Sequence, residues 1–393
     1  MKIKSMQKAD RKVVILHIID EFKIGGAQTH LVSMLKSARH QFPDVSHVVV
    51  SIFNDGPIKT RLEETGIPAV VLKIPDTKLF VKSLSIVGQL CRIIKTFRPC
   101  CVEAHLTWSR TLGLMAARLC GVPLRIGFEH GDTYLNSAPW RLVNYCSQFN
   151  AHHIIVCSNA LKNWAHSTHH IAKKRMKVFY NAVDLNRFDR DGTRAAFSKK
   201  ELGLNETTML FCTVGILGSG INKRVDILIQ AVALARKNNH DVALIVCGDG
   251  DLRPGLETLA KKLEVENCVK FLGMRNDIPE ILAACDAFCH AAPFEAFGIV
   301  AVEAMAMALP IIVPDSGGIR EIVITDNGTG LLYEPLDVCS LADKMALLAA
   351  KTAEARAMGL AGRETANRRY NIDNYVKELY SLYAFPASSM KNG

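Results

Sequence analysis

One stretch constrains this chain more than any other: residues 271–323, FLGMRNDIPEILAACDAFCHAAPFEAFGIVAVEAMAMALPIIVPDSGGIREIV. It reads as strand, turn, helix, strand, acidic loop, helix, strand and glycine turn, with almost no spare residues between them. Residues 285–290 form a short apolar strand. Phe294-Glu295-Ala296-Phe297-Gly298 is a loop feeding an Ala/Met-rich helix over 299–308. Residues 309–313 are the next strand, and Ser316-Gly317-Gly318 opens a further helix. Strands alternating with helices at this spacing predict a parallel sheet in an α/β domain.

Two carboxylates stand in this stretch, Glu295 and Glu303. Eight positions at about 100° each would leave them roughly 80° apart on one continuous helix. With Glu295 in the loop and Glu303 inside the helix, both can face one ligand past the helix N-terminus. That terminus offers free N–H groups and a partial positive charge, a seat for phosphate. Carboxylates beside it would repel phosphate, so they are expected to bond something neutral and hydroxyl-rich. A carboxylate accepts hydrogen bonds from two adjacent hydroxyls, as on a ribose or hexose edge. Phosphate between two polyols describes a nucleotide-sugar. The plain alternative is a surface acid and a helix acid with no joint role.

The run E-A-F-G-I-V-A-V-E-A-M-A, preceded by G-M-R-N-D-I-P-E-I-L-A-A-C-D and followed by L-P-I-I-V-P-D-S-G-G-I-R-E-I-V, resembles the E-x7-E region of family 4 glycosyltransferases. The resemblance implies the α/β GT-B fold, two Rossmann-like parallel-sheet domains facing a central cleft. It also implies retaining transfer from a nucleotide-sugar donor, UDP- or GDP-linked, to a glycan or lipid-linked acceptor in cell-surface polysaccharide or glycolipid synthesis. Carried over by residue, Glu295 meets the transferred sugar and Glu303 holds the ribose, while backbone N–H groups at Phe297, Gly298 and Ile299 complete the site. The expected domains are 1–186 on the acceptor side, 187–369 for the donor, and a closing helix in 370–393 that crosses back onto the first domain.

At 393 residues the chain is long enough for two domains, each with its own core. Apolar residues make up 49%, with a mean hydropathy of +0.12, yet no apolar run reaches the roughly 18 residues of a membrane span. The basic start followed by 13–19 mimics a short leader. It ends in Asp20-Glu21 without a small-residue cleavage site, so a first strand, and a cytoplasmic protein, are expected. The twelve cysteines show no paired C-x-x-C spacing. Cys285-x3-Cys289-His290 sits in a predicted strand, which favours core packing over zinc, and no metal or cofactor is expected. Residues 1–180 hold 25 Lys and Arg against 11 Asp and Glu, leaving 23 and 27 of the totals of 48 and 38 for the rest. The first half, at +14 against −4, points to an anionic partner. With no zinc finger, RNP-type motif or helix-turn-helix, that partner is expected to be an anionic membrane surface or a phosphate-bearing lipid acceptor and not nucleic acid. A merely basic protein is the plain alternative.

In chain order, strand 13–19 runs through Gly25 and Gly26 into a helix over 29–39, as a parallel α/β domain begins. The family keeps a similar turn near the donor phosphates, with Gln28 standing where an acid is more usual. Strands follow at 47–53, 69–72, 101–104 and 124–128, with helices at 81–97 and 110–119. The first of these helices carries Lys82, Arg92 and Lys95 beside an apolar stripe. His130, in Glu129-His130-Gly131-Asp132, ends a strand where open parallel sheets bind ligands, and is a catalytic candidate near the transferred sugar. His105 is a weaker one. Residues 181–188, NAVDLNRF, resemble the family's handover between domains, and 189–208 reads as linker and leading helix.

In the second domain, strand 209–214 leads to Gly215-Ile216-Leu217-Gly218-Ser219-Gly220-Ile221-Asn222-Lys223-Arg224. Lys223 matches the family lysine that grips the diphosphate and is also a catalytic candidate. Ile216 stands where the family has Arg, and Arg224 is the proposed substitute. The loop lacks the G-x-G-x-x-G spacing and the ribose acid of a dinucleotide site. Gly248-Asp249-Gly250-Asp251 follows a strand as a glycine turn, in preference to a D-x-D metal site. Gly273 and Arg275 end strand 269–272, where the family seats the base. Two other readings are a GT-B-fold nucleotide-sugar epimerase or hydrolase without an acceptor, and a non-enzymatic nucleic-acid-binding protein suggested by the pI of 9.0.

Overall fold

Strands such as VVILHIIDE and VALIVC carry apolar residues on both faces, which a strand does only when helices cover both sides of its sheet. In the computed structural model, which describes residues 13–74, 79–131, 138–218, 223–324 and 328–383 (side chains 79–82 and 138–140 excepted), both segments are central strands. The chain divides into two compact units, 1–179 with 372–393, and 180–371.

In the first unit the order is β1 (Val13–Glu21), α1 (Gly26–Gln41), β2 (Val45–Asn54), α2 (Pro57–Glu64), β3 (Ala69–Val71), α3 (Leu79–Phe97), β4 (Cys101–His105), α4 (Leu114–Leu119), β5 (Leu124–Glu129), α5 (Ala138–Ser147), β6 (His153–Val156), α6 (Asn159–His169) and β7 (Met176–Val178). The described strands pair in parallel as β3-β2-β1-β4-β5-β6-β7. The second unit holds β8 (Met209–Val214), α7 (Val225–Lys237), β9 (Val242–Cys247), α8 (Arg253–Lys262), β10 (Val269–Gly273), α9 (Ile278–Ala284), β11 (Ala287–Cys289), α10 (Ile299–Ala306), β12 (Ile311–Pro314), β13 (Leu331–Tyr333), α11 (Val338–Ala350) and α12 (Thr352–Arg369), in a parallel sheet ordered β10-β9-β8-β11-β12-β13. Each is a Rossmann-like α/β domain, the two-domain architecture of the GT-B fold. The order reverses direction at β1/β4 and at β8/β11. At such switch points the strand ends leave a crevice for ligands.

Several boundaries differ from expectation for local reasons. The helix after Gly25-Gly26 begins at Gly26, because the Gly25 carbonyl already accepts from Thr29 N at 2.9 Å. A helix from Arg110 is replaced first by a π-turn at Ser109–Gly113. Asp20, at the end of β1, holds it by accepting from Trp108 N and from both N and Oγ of Ser109. Residues 189–208 contain only the 3-10 turn Lys200–Leu202, and the helix expected after Ser316-Gly317-Gly318 is the short 3-10 segment Ile319–Ile322.

The handover falls at 179/180, where sequence reading puts it at 186/187. Val183 N donates to Tyr370 O at 2.8 Å and Val183 bridges Asn371, so 180–186 stays with the second unit. One helix over 370–384 is expected; instead α12 stops at Arg369 and α13 (Ile372–Tyr380) follows. Tyr370 is buried against Tyr180 and Phe297, which takes the chain off the helical path. α13 packs on α1: Ser37 Oγ donates to Asp373 Oδ1 at 2.6 Å, His30 meets Tyr375 edge-on at 4.9 Å, and Phe42 stacks on Tyr380 at 4.5 Å. Ala384 lies outside the described residues. Among those residues no helix is long and apolar enough to cross a membrane.

Candidate functional site

In the second unit the site is built at the carboxyl ends of β8, β9, β10 and β11. After β11 the chain turns through 290–298 and enters α10. Gly298, the N-cap, has φ +83, and a Cβ there would lie 2.6 Å from Ile319 Cγ1, so the turn requires glycine. The loop is clamped by the Ser316-Gly317-Gly318 turn. Ser316 Oγ donates to Pro293 O at 2.6 Å and Gly318 N to Glu295 O at 2.7 Å. Gly317, at φ +60, passes so close that a Cβ would sit 2.7 Å from the Glu295 carbonyl. The glycine pair thereby fixes the backbone of Glu295.

Glu295 Oε2 lies 2.5 Å from Lys223 Nζ and 3.2 Å from His290 Nε2. Burial pushes this carboxyl up, but the Lys223 charge and the His290 contact outweigh it and hold the group well below the usual carboxylate range. His290 is itself pushed down by burial, with Glu295 opposing and Lys223 reinforcing the shift. The Lys223 stem crosses Gly215, where a Cβ would meet it at 3.5 Å. His290 has no place in the sequence-derived site. Its signal was its position at the end of a strand, one residue past Cys289.

Glu303 sits in the middle of α10, four residues past its start, half-buried. Among the described residues its carboxyl has no hydrogen-bond or ion-pair partner. Burial pushes it up to about 7, with the charge of Arg187 pulling the other way. The first intrahelical bonds run to Gly298 O from Ala301 N and Val302 N. The N–H groups of Gly298, Ile299 and Val300 therefore point out of the helix end, towards the side on which an anion would sit. Phe297 contributes backbone there; its side chain is buried against Tyr180 and Tyr370.

The remaining second-unit candidates have partners of their own. Arg224 adopts φ +49 at the N-cap of α7 and forks onto Asp226 with 2.8 and 2.9 Å bonds. Ile216 is half-buried, and 219–222 lie outside the described residues. Arg275 pairs with Asp277 near the surface. Gly273, at φ +67, ends β10 and its carbonyl accepts from Gly248 N at 2.8 Å. Asp249 accepts from Gly250 N at 2.8 Å and from Arg253 at 3.0 Å. Gly248 and Gly250 allow this turn to pass the Gly215 and Leu217 carbonyls.

In the first unit, Gly25 caps α1 in extended backbone, with the Gln28 amide folded over it, and Gly26 starts the helix. His130 follows β5 and stays partly exposed. Partial burial and the nearby His105, His30 and Arg110 hold it well below the ordinary histidine range. Its Nε2 lies 3.5 Å from His105 Nδ1, and His105 stacks on Phe128 at 4.4 Å. Beneath His130, buried Glu129 pairs with buried Arg110, which also bonds Asn144. Glu129 Oε1 accepts from Gly131 N at 3.0 Å, and Gly131 takes φ +88. Glu129 and Gly131 thus frame the presentation of His130. Asp132 lies outside the described residues.

Residues 24–187 match the family model "Glycosyltransferase Family 4" and residues 195–365 match "Glycosyl transferases group 1". The chain is 31% identical over 269 residues to N-acetyl-alpha-D-glucosaminyl L-malate synthase of Bacillus anthracis, covering 67% of this chain and 68% of that one. It is 23% identical over 333 residues to the UDP-Gal:alpha-D-GlcNAc-diphosphoundecaprenol alpha-1,3-galactosyltransferase of Escherichia coli, covering 82% and 84%. Anabaena HepE, solved with UDP and glucose, superposes with a TM-score of 0.78 at 24% identity over 93% of this chain and 98% of that one. Two parallel α/β domains of GT-B type, with family matches across both, make this chain a member of glycosyltransferase family 4 and a glycosyl-transferring enzyme.

Proposed function

We propose that the protein transfers a sugar, with retention at the anomeric carbon, from a UDP- or GDP-linked donor to a glycan or lipid-linked acceptor, and that the transfer step uses no divalent metal. The observation that carries this reading is the Lys223–Glu295 pair beside the open N–H groups of α10, with unpartnered Glu303 on the same helix. Departure of a nucleoside diphosphate puts new negative charge on phosphate. Lys223 and the N–H groups of Gly298, Ile299 and Val300 are placed to stabilise it. Glu295 accepts hydroxyls of the transferred sugar and Glu303 those of the ribose. Gly273 and Arg275 line the base. Arg224 assists only if it leaves Asp226.

Three similar proteins support the substrate class. Structures of HepE hold UDP and UDP-glucose. The E. coli relative is named for UDP-Gal and a diphosphoundecaprenol acceptor, and a Mycobacterium tuberculosis relative, 31% identical over 206 residues, for GDP-mannose and a phosphatidylinositol monomannoside. Titration calorimetry with UDP, GDP and ADP, with and without EDTA, on wild type and Glu303→Gln tests the reading. One diphosphate should bind regardless of EDTA and bind the variant more weakly. A requirement for divalent metal, or no binding at all, would sink it.

A peripheral seat on the inner face of the cell membrane is favoured by one surface. Leu119, Leu142, Tyr145 and Phe149 are all exposed, and Arg118 and Arg175 bond the backbone carbonyls of Phe149 and Gln148 beside them. Apolar side chains interleaved with cations suit an anionic lipid surface. Sedimentation with phosphatidylglycerol vesicles but not phosphatidylcholine vesicles, lost on Leu142→Ser with Phe149→Ser, is the expected result.

A further inference from the structure

Sheet register in the first unit assembles a cluster that sequence reading missed. β1 and β4 pair with His17 opposite Glu103 and Ile19 opposite His105. Alternate residues of a strand share a face, so His17, Glu103 and His105 lie on the same side of the sheet. They are 1%, 0% and 2% exposed. Glu103 Oε2 lies 3.0 Å from His17 Nδ1 and 3.6 Å from His105 Nε2, and one ligand atom from each residue falls within 4.8 Å of the others. Yet His17 Nδ1, His105 Nε2 and both Glu103 oxygens lack an aligned hydrogen bond. Buried polar atoms that converge with poor alignment carry a desolvation penalty, and a dry carboxylate calls for a compensating cation. The opposite ring nitrogens do have partners. His17 Nε2 is 3.0 Å from His47 Nδ1, His47 Nε2 is 3.0 Å from Tyr380 Oη, and His105 Nδ1 is 3.5 Å from His130 Nε2. Metal-bound histidines send their second N–H to an outer partner of this kind.

We propose that His17, Glu103 and His105 bind one divalent first-row transition metal, with zinc the best chemical match, inside the first unit. Two imidazole nitrogens with a carboxylate are a zinc donor set. All three ligands are buried, at 2% exposure or less, so no substrate reaches the metal and the site is structural and not catalytic. Tetrahedral ligand atoms at about 2.0–2.1 Å from zinc stand roughly 3.3 Å apart; the two contacts to Glu103 Oε2, 3.0 and 3.6 Å, fall on either side of that separation. With metal bound, every proton points outward: His17 Nε2–H to His47, His47 Nε2–H to Tyr380 Oη, and His105 Nδ1–H to His130 Nε2. Without it, ionised Glu103 draws every proton inward, His17 Nδ1–H and His105 Nε2–H to the carboxylate, His47 Nδ1–H to His17, and Tyr380 O–H to His47. The two states have opposite tautomers along the whole chain. None of the three ligands is a donor-site residue, so the proposal stands apart from the reading of the second unit.

The test is metal analysis of the full chain expressed in zinc-supplemented medium and dialysed against metal-free buffer, together with side-chain ¹⁵N spectra of the histidines. The expected result is about one zinc per chain, outward tautomers at His17, His47 and His105, and a roughly tenfold or greater loss of zinc in Glu103→Gln. The spectra need no variant, so a misfolded Glu103→Gln leaves the proposal testable. Zinc-free wild type after both supplementation and refolding with zinc, or a proton on His17 Nδ1, would overturn it.

Discussion

Lys223 Nζ and Glu295 Oε2 form a 2.5 Å ion pair three residues before the N-cap of α10. On the proposed function, an incoming diphosphate competes with Glu295 for this cation and leaves the Glu295 carboxyl to the sugar hydroxyls. Lys223→Gln should remove both the phosphate cation and the charge that holds Glu295 ionised. The expected loss in kcat/KM is about 10²–10³-fold, the scale of one preorganised transition-state contact. Steady-state transfer assays check it. A loss confined to KM would mean that Lys223 binds the ground and transition states equally.

Gly317 is the backbone device behind that pair. Its positive φ and the 2.7 Å approach of a Cβ to the Glu295 carbonyl leave no room for a side chain. Gly317→Ala should destabilise the protein by about 1–3 kcal/mol and displace Glu295, so that turnover falls even well below the melting temperature. Gly88, where nothing lies within 4 Å of a Cβ, supplies the control: Gly88→Ala in the middle of α3 should leave stability unchanged or raise it.

The alternation of strands and helices was legible because parallel sheets leave long unbroken apolar runs, and Met209–Val214 was bounded correctly from its run alone. The E-x7-E pair was legible because its loop and helix are contiguous. His290, Arg110 and the His17–Glu103–His105 cluster were not. Their partners lie at sequence separations such as the 86 residues between His17 and Glu103, and only strand register brings them together. The Asp226 partner of Arg224 was not legible either: Arg224 takes an αL backbone and its guanidinium forks onto Asp226, two residues away.

Arg110 and Glu129 are both buried, so removing one charge exposes the cost of the other. Arg110→Met should destabilise the protein by about 3–5 kcal/mol at neutral pH. Burial raises the Glu129 carboxyl, but Arg110 and its other partners bring it below the unfolded value. In wild type, then, the pair's contribution is present above the unfolded carboxylate pKa of about 4.3 and is lost as pH falls through the folded value. In Arg110→Met the carboxyl loses its cation and protonates more readily, so the deficit should shrink on acidification. Denaturant unfolding at several pH values measures both trends, and a deficit independent of pH would show that the loss is one of packing alone.

Glu303 makes the opposite prediction. Burial holds its carboxyl at about 7 in the unliganded protein, above the unfolded value, so the folded state holds the proton more tightly. Unliganded stability is therefore lost as pH rises from the unfolded value through about 7, and Glu303→Gln should be more stable than wild type above that pH. On the proposed function, ribose hydroxyls donate to the ionised carboxyl, so donor binding should favour the charged form. Affinity for the nucleoside diphosphate should be constant well above pH 7 and fall by up to tenfold per unit below it, with a proton released on binding. Glu303→Gln should bind about 10–100-fold more weakly at pH 8 and lose the pH step. Calorimetry in buffers of different ionisation enthalpy counts the proton directly. A variant that binds weakly but keeps the same pH step would move the titrating group away from Glu303 and the ribose contact with it.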